Sequence, residues 1–246
     1  VNIGQYAHGS ADFVALLGRL DRVDGLERIR ISSIEPTTVS EELLDLMASS
    51  KKLCPYLHIP LQSGDDQILQ AMNRRHTVNA YRKLIDTALR KIPDLGIGTD
   101  LMVGFPGETD AAFQNTVAVA SDLPFSYLHV FPYSSRSGTA ALRIKQRVSS
   151  VSIKKRTNLL LDLDRAKRLV FHNAQIGKTV PVLFESGTQG SYRFGTTPNF
   201  TKVAVTDSDN LENHIKPVTI SAAAGRCVFG DLVAPPATTN ASLVLL

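Results

Sequence analysis

"DLMVGFPGET", residues 100–109, is the stretch that decides the fold. Its first four residues predict a buried strand, and the glycine-rich turn that follows leads into a helix capped by Thr109. A tight turn would explain the glycines, and so would a ligand that approaches the backbone. The helix N-terminus favours a ligand carboxylate or phosphate, but neither a P-loop nor a dinucleotide fingerprint is present. Taken alone, the motif leaves both explanations open.

Strand-like runs recur roughly every 30 residues through the first part of the chain, and helical patterns lie between them. The runs are "RIRISSI" near 28, "YLHIPL" near 56, "GIGTDLMVGF" near 96 and "SYLHVF" near 126. With Val1–Ile3 as a strand end, they predict five parallel strands, in either an open doubly wound sheet or a closed or partial barrel. In both folds, ligands bind at the carboxyl ends of the strands.

The last third of the chain has a different pattern. A long helix is predicted from Ser152 to about Ala174, and short strands separated by Gly, Asn, Asp and Pro follow it. These strands predict a small antiparallel barrel or sandwich. The resulting division is an α/β domain over 1–150, a linking basic helix over 151–177, a small β-barrel over 178–235 and a tail over 236–246.

Composition and charge limit the classes of protein to which the chain can belong. Of 246 residues, 43% are hydrophobic and 20% charged, which is typical of a soluble globular protein. No apolar run could span a membrane and no signal peptide is evident, so a cytoplasmic monomer is expected. Cys54 and Cys227 suggest buried thiols rather than a disulfide framework or metal site. Residues 143–193 hold 11 Lys/Arg against 3 Asp/Glu, a local charge of +8, which fits either a polyanion partner or a solvated basic helix.

Polar residues follow the predicted strands and form a candidate active-site face. His58 lies inside a strand, where a core role is the simpler explanation, and Arg136 lies in a Gly/Ser-rich loop suited to a carboxylate or phosphate. Glu108 could accept a hydrogen bond from an ammonium or a ribose hydroxyl. No pair of general bases is evident. The other polar strand ends are Asn2, Gln5, Ser33, Glu35, Gln62, Ser63, Asp100, His129 and Tyr133.

Five motifs in order resemble one family. They are "VNIGQY", "RIRISSIEP", "HIPLQSGDDQILQAMNRRHT", "GTDLMVGFPGETDAAFQNT" and "HVFPYSSRSGTAA". Over about residues 1–235 they are similar to the methylthiotransferases, radical S-adenosylmethionine enzymes, and most of all to the tRNA-modifying branch acting on N6-threonylcarbamoyladenosine. The resemblance implies a partial (β/α) barrel with S-adenosylmethionine across the strand ends. The implied cofactor contacts are Asn2, Gln5, Glu35, His58, Gln62, Gly104, Phe105, Pro106, Gly107, Glu108 and Arg136.

The resemblance also implies an RNA-binding module. The family carries a C-terminal TRAM domain, a small OB-like β-barrel that binds RNA, and residues 178–235 match it. The basic segment would then contact tRNA phosphates. The implied phosphate contacts are Lys154, Lys155, Arg156, Arg165, Lys167, Arg168, Lys178 and Arg193.

One departure from the family bears on activity. The family holds one iron–sulfur cluster on three cysteines upstream of "VNIGQY" and a second in an amino-terminal domain, and Cys54 and Cys227 cannot replace those motifs. The chain is therefore expected to be an inactive piece of a longer enzyme, truncated at its N-terminus. A non-catalytic RNA-binding protein with a degenerate barrel is the alternative. A (β/α) aldolase or phosphatase lacks a suitably placed Lys or metal-carboxylate site.

Overall fold

The chain folds into two compact units. A computed structural model of the protein describes residues 3–8, 11–206 and 211–233. The first unit comprises Val1–Phe171 and Pro198–Phe200, and the second comprises His172–Thr197 and Thr201–Leu246. Among the residues that the structure describes, no helix has the length and apolar character needed to cross a membrane. The predicted contact Asn2 and the predicted tail lie outside the described residues.

Helices and short strands alternate in the first unit, as the sequence predicts. A small hairpin of β1 (Ala7–His8) and β2 (Ala11–Asp12) precedes α1 (Phe13–Asp21). Short 3-10 helices lie at Ile3–Gln5, Pro36–Thr38 and Ala140–Arg143. The remaining elements are α2 (Glu41–Ser49), β3 (Tyr56–His58), α3 (Asp66–Ala71), α4 (Val78–Lys91), β4 (Gly96–Val103), α5 (Asp110–Asp122), β5 (Tyr127–Pro132) and α6 (Ser150–Asn173).

Helix starts in this unit are fixed by side-chain caps. Ser40 accepts a hydrogen bond from the Leu43 N–H, and Thr109 accepts one from the Ala112 N–H at 3.1 Å. Thr77 caps α4 in the same way. Each hydroxyl satisfies one of the amide donors that the first turn leaves unpaired. The predicted start of α5, with Thr109 as its cap, is confirmed.

The sheet of the first unit has three parallel strands, in the order β3-β4-β5. The prediction of five strands is wrong within the described residues. In "RIRISSI" only Ile29 forms a bridge, to Leu53, and the Ile34 N–H donates to the His58 carbonyl. This segment runs beside β3, but its hydrogen bonds are too sparse to make a ladder.

The two faces of this sheet differ in chemistry. Leu57, Ile97 and Leu101 are fully buried and belong to the main core of the unit. Because successive side chains of a strand point to opposite faces, the residues between them lie on the other face. That face, called the polar face below, carries Tyr56, His58, Asp100, Tyr127 and His129.

The second unit is a closed five-stranded barrel in the order β10-β8-β7-β6-β9. Neighbouring strands are antiparallel except β10 and β8, which close the barrel in parallel. Its core contains Val182, Phe184, Val203 and Val218. The predicted small barrel is confirmed, while its assignment as a TRAM domain stays a prediction. The strands are β6 (Thr179–Gln189), β7 (Tyr192–Thr196), β8 (Lys202–Thr206), β9 (Ile215–Ala223) and β10 (Val228–Leu232).

Candidate functional site

A cavity of about 510 Å³ lies at the carboxyl ends of β4 and β5. Its walls are mainly apolar side chains, with a few polar groups at the rim, which is typical of a site for an organic ligand. The walls include Gln62, Met72, Asn73, Arg74, Met102, Phe105, Phe131, Tyr133 and Arg136. The sequence-predicted residues Gln62, Phe105 and Arg136 therefore share one cavity.

Two buried polar atoms in this cavity wall lack hydrogen-bond partners within the described part of the chain: Gln62 Oε1 and the Tyr133 hydroxyl. Gln62 is only 5% exposed and its φ is 70°, an unfavourable conformation for a residue with a side chain. The β4 backbone holds it there, because the Gln62 N–H donates to the Asp100 carbonyl at 2.8 Å. An unsatisfied buried polar atom is costly, so each of these two groups is a candidate to hydrogen-bond a partner outside the described residues.

The turn after β4 is held by a buried ion pair. Glu108 Oε2 accepts from the Gly104 N–H at 2.9 Å and from Arg156 Nη1 at 2.6 Å. Burial raises the pKa of Glu108, and the Gly104 amide and the Arg156 guanidinium oppose that rise. Arg156 also donates to Asp110 at 2.7 Å. Glu108 is thus directed toward α6, and its Oε2 holds the turn, while its buried Oε1 has no hydrogen-bond partner within the described residues. The predicted contact of Glu108 with a ligand stays a prediction.

Gly104 serves helix packing rather than ligand approach. Its φ is +78°, and a Cβ built on it would lie 2.4 Å from Ile153 Cγ1 in α6. Gly107 has φ +91° and donates its N–H to the Gln146 carbonyl at 2.9 Å. Close packing of α6 therefore accounts for Gly104, and Phe105 is the residue of the turn that reaches the cavity.

A second cavity, of about 300 Å³, adjoins the first through Met72, Asn73 and Arg74. It contains the predicted residues Gln5 and Glu35. Arg74 Nη1 donates to both Glu35 oxygens, at 2.9 and 3.1 Å. Sequence reasoning missed Arg74. The signal was Asn73, whose φ of 57° marks the turn that sends Arg74 back over the sheet.

The polar face carries a continuous hydrogen-bonded chain. The Tyr56 and Tyr127 hydroxyls lie 2.7 Å apart, and the Tyr127 hydroxyl lies 2.7 Å from His58 Nδ1. His58 Nε2 lies 3.1 Å from Asp100 Oδ1, which is also 2.8 Å from His129 Nδ1. His58, predicted as a cofactor contact, is therefore an interior member of this chain, and the His–Asp–His arrangement was not foreseen.

Gly98 makes this chain possible. It pairs with His58 on one side and Tyr127 on the other, so all three lie in one row across the sheet. A Cβ on Gly98 would lie 2.4 Å from the Tyr127 ring. The missing side chain lets the ring cross β4 and reach His58.

The predicted phosphate contacts differ in their exposure. Lys154, Lys155 and Arg165 are exposed on α6, whereas Arg156 is only 7% exposed. Assigning Arg156 to RNA phosphates is corrected, because its guanidinium is occupied by Glu108 and Asp110. Lys167 donates to the Ser121 and Leu123 carbonyls, and Arg168 pairs with Asp164. Lys178 and Arg193 lie on the second unit and are half-buried.

The cysteines do not form a metal site. Cys54 is buried in the first unit, Cys227 lies in the second, and both are free thiols. Over the described ranges, no group of three or more His, Cys, Asp or Glu is arranged to hold a metal ion. The residues present therefore do not fit an iron–sulfur cluster, whereas the 510 Å³ cavity fits an organic ligand.

Comparison with known proteins gives the family context. The chain is 35% identical over 230 residues to the tRNA-2-methylthio-N(6)-dimethylallyladenosine synthase of Maricaulis maris (strain MCS10), covering 93% of this chain and 50% of that protein. It is 33% identical to the protein of the same name from Endomicrobium trichonymphae, covering 94% and 55%. The chain thus spans about half the length of these curated relatives.

The fold also matches a solved structure. Coproporphyrinogen III oxidase (HemN) from Escherichia coli, described as a radical SAM enzyme, aligns with a TM-score of 0.51 and 15% identity. The alignment covers 90% of this chain and 56% of that one, and at this identity it shows the fold alone. Residues 4–120 match the Radical SAM superfamily. Residues 4–120 are therefore similar to radical SAM domains, and proteins named tRNA-2-methylthio-N(6)-dimethylallyladenosine synthase are among the relatives of the chain.

Proposed function

We propose that this chain is part of a transferase that adds a methylthio group to C2 of an N6-modified adenosine next to the tRNA anticodon. The cavity at the ends of β4 and β5, with Gln62 Oε1 and the Tyr133 hydroxyl buried and unpaired, carries this proposal. Homology to tRNA methylthiotransferases supports the reaction class. The protein would act with tRNA in the cytoplasm.

S-Adenosylmethionine is the organic ligand that this cavity would hold. Phe105 and Phe131 offer apolar surface to an adenine ring, and Gln62 Oε1 can accept from its amino group. Arg136 and Arg74 can bind a carboxylate at the rim. Together with an iron–sulfur cluster, this cofactor supplies the radical chemistry needed at an unreactive adenine C–H. The protein residues bind and orient the cofactor and exclude water.

The cluster ligands do not come from the residues of this sequence. Cys54 and Cys227 lie in different units, so we propose that a longer protein supplies the cluster cysteines and that this chain alone is inactive.

RNA binding is assigned to the exposed basic residues of α6 and to the barrel, which we propose to be a TRAM domain. Lys202 Nζ lies 4.2 Å from the Phe194 ring centroid, and Tyr192 is 38% exposed. A cation on the half-buried Phe194 ring and an exposed tyrosine on the same strand suit phosphate contact and base stacking. A non-catalytic RNA-binding protein would show this surface but would have no use for the unsatisfied cavity.

The preferred substrate is the threonylcarbamoyl derivative, from the "SSIEP" and "HVF" segments. Dimethylallyladenosine is a second candidate, favoured by the names of the homologues. Binding of anticodon stem-loops that carry one or the other modification distinguishes these two candidate substrates, with an unmodified stem-loop as control.

Titration of the purified chain with tRNA and, separately, with S-adenosylmethionine tests the proposal. We expect tRNA binding that weakens steeply with salt, because phosphate contacts release counterions. We expect weak or no cofactor binding without the cluster. Salt-insensitive RNA binding would contradict the assignment of α6, and absence of RNA binding at low salt would contradict the proposed function.

A further inference from the structure

The carboxylate of Asp100 lies within hydrogen-bond distance of both histidines on the polar face. Burial acts to raise the pKa of Asp100, but the hydrogen bonds from His58 and His129 outweigh it, and the pKa lies below its ordinary value. A carboxylate can only accept hydrogen bonds, so His58 Nε2 and His129 Nδ1 must each carry a proton. With the proton on Nδ1, the neutral form of an imidazole has an acceptor at Nε2.

His129 is the open end of this chain of hydrogen bonds. Its side chain is 64% exposed, against 11% for His58 and 20% for Asp100. Within the described residues, no hydrogen bond to His129 Nε2 is present. Four interior groups are thus arranged to present a single acceptor to the outside of the sheet.

The position of His129 relates it to the cavity. Asp100 pairs with His129, and Met102 pairs with Phe131, two residues further along the same face. That spacing is about 7 Å. The rings of His129 and Phe131 lie 5.2 Å apart, and Phe131 lines the cavity. His129 therefore lies on the amino side of Phe131, whereas the cavity's unpaired Tyr133 hydroxyl lies on the carboxyl side.

We propose that His129 Nε2 accepts a hydrogen bond from the N6–H of the target adenine, with Asp100 as the residue that positions it. This inference rests on the proposed function. The cofactor would occupy the cavity on the carboxyl side of Phe131 and Met102, and the substrate base would contact the polar face on the other side. Specificity follows because a base without an N6–H leaves the acceptor unpaired.

Matched RNA ligands and variants test the assignment. Anticodon stem-loops containing N6-methyladenosine, with one N6–H, or N6,N6-dimethyladenosine, with none, are titrated into the chain. We expect about three- to tenfold tighter binding of the first, the worth of one neutral hydrogen bond. His129→Leu should abolish this preference, and His129→Gln, which keeps an acceptor, should retain part of it. His214→Leu, the same change at an exposed histidine of the second unit, should leave it unchanged.

The role of Asp100 has its own readout. Imidazole ¹⁵N NMR should show His129 protonated at Nδ1 and unprotonated at Nε2. Asp100→Asn, whose amide can donate to Nδ1, should shift the population toward the Nε2–H form and lower the N6–H preference. A protonated Nε2 in the unaltered chain would overturn the inference. So would an RNA preference that survives His129→Leu. Failure of every stem-loop to bind would overturn the proposed function, and this assignment with it.

Discussion

The guanidinium of Arg156 lies 2.6 Å from the carboxylate of Glu108, and both side chains are almost fully removed from solvent. Arg156 belongs to α6, and Glu108 closes the turn after β4 whose Phe105 lines the cavity. The pair therefore links the basic helix to the wall of the candidate cofactor site. This contact accounts for the acid at the end of "GFPGE" in physical terms.

Arg156→Ala should destabilise the first unit by about 3–5 kcal/mol, because it leaves a buried carboxylate without its partner. Arg82→Ala breaks an exposed ion pair with Asp122 and should cost less than about 1 kcal/mol. Urea unfolding of the two variants and the unaltered chain measures the difference. Equal losses for both variants would show that the Arg156 pair is not the buried support that its geometry indicates.

Features that depend on residues close together in the sequence could be predicted, and contacts between distant residues could not. Caps such as Ser40 and Thr109 were predictable, because a hydroxyl acts on amides two or three residues away. The cavity residues Gln62 and Arg136 were predictable because parallel strands deliver their ends to one edge. The ion pair of Glu108 was not predictable, since its partner Arg156 is 48 residues distant and the motif alone does not show it.

The polar face was harder to predict for the same reason. Asp100 and His129 were recognised as polar strand residues, but their contact depends on the register of β4 against β5. The polar residues that were expected on one active-site face lie at different places. Glu35 and Arg136 line two adjoining cavities, while His58 lies in the hydrogen-bonded chain and Glu108 in the buried ion pair.

Lys155→Ala should weaken tRNA binding and reduce the slope of log affinity against log salt by about 0.7–0.9, the value for one lost phosphate contact. Lys155 is exposed on α6, next to the buried Arg156. Fluorescence anisotropy at several salt concentrations measures both quantities. Leu159→Ala, an uncharged change on the same helix, serves as control. An unchanged salt slope in Lys155→Ala would remove this lysine from the proposed RNA surface.

Gly98→Ala should break the hydrogen-bonded chain on the polar face. Its Cβ would meet the Tyr127 ring at 2.4 Å, so the ring must move away from His58. We expect a loss of about 1–3 kcal/mol in stability, typical of overpacking. Gly18→Ala, in α1 with nothing within 4 Å of the new Cβ, should be neutral or stabilising. Equal free energies of unfolding for the two variants in urea would argue against close packing of the Tyr127 ring on Gly98.

The lowered pKa of Asp100 predicts a contribution to stability that depends on pH. A carboxyl whose folded pKa lies below its ordinary value of 3.8 stabilises the fold above that pH. The contribution is lost as the pH falls through the folded pKa. Asp100→Asn should therefore lose stability at pH 6, and its deficit against the unaltered chain should shrink below pH 3.8. Urea unfolding between pH 2.5 and pH 6 measures it, and a deficit that stays constant would contradict the linkage.

Tyr133→Phe tests whether the cavity wall is built for a ligand. The Tyr133 hydroxyl is buried without a partner in the described structure, so its removal should leave stability unchanged or raise it by up to about 1–3 kcal/mol. The matched change Tyr81→Phe removes a hydroxyl that donates to the Ile59 carbonyl at 2.7 Å, and it should cost about 0.5–1.5 kcal/mol. Thermal unfolding of the ligand-free chain compares the two. A stabilised Tyr133→Phe shows that this position is kept polar at a cost to the fold, as a binding group would be. If Tyr133→Phe loses as much stability as Tyr81→Phe, the hydroxyl is satisfied within the protein, and the cavity wall loses one of the two groups that identify it as a binding site.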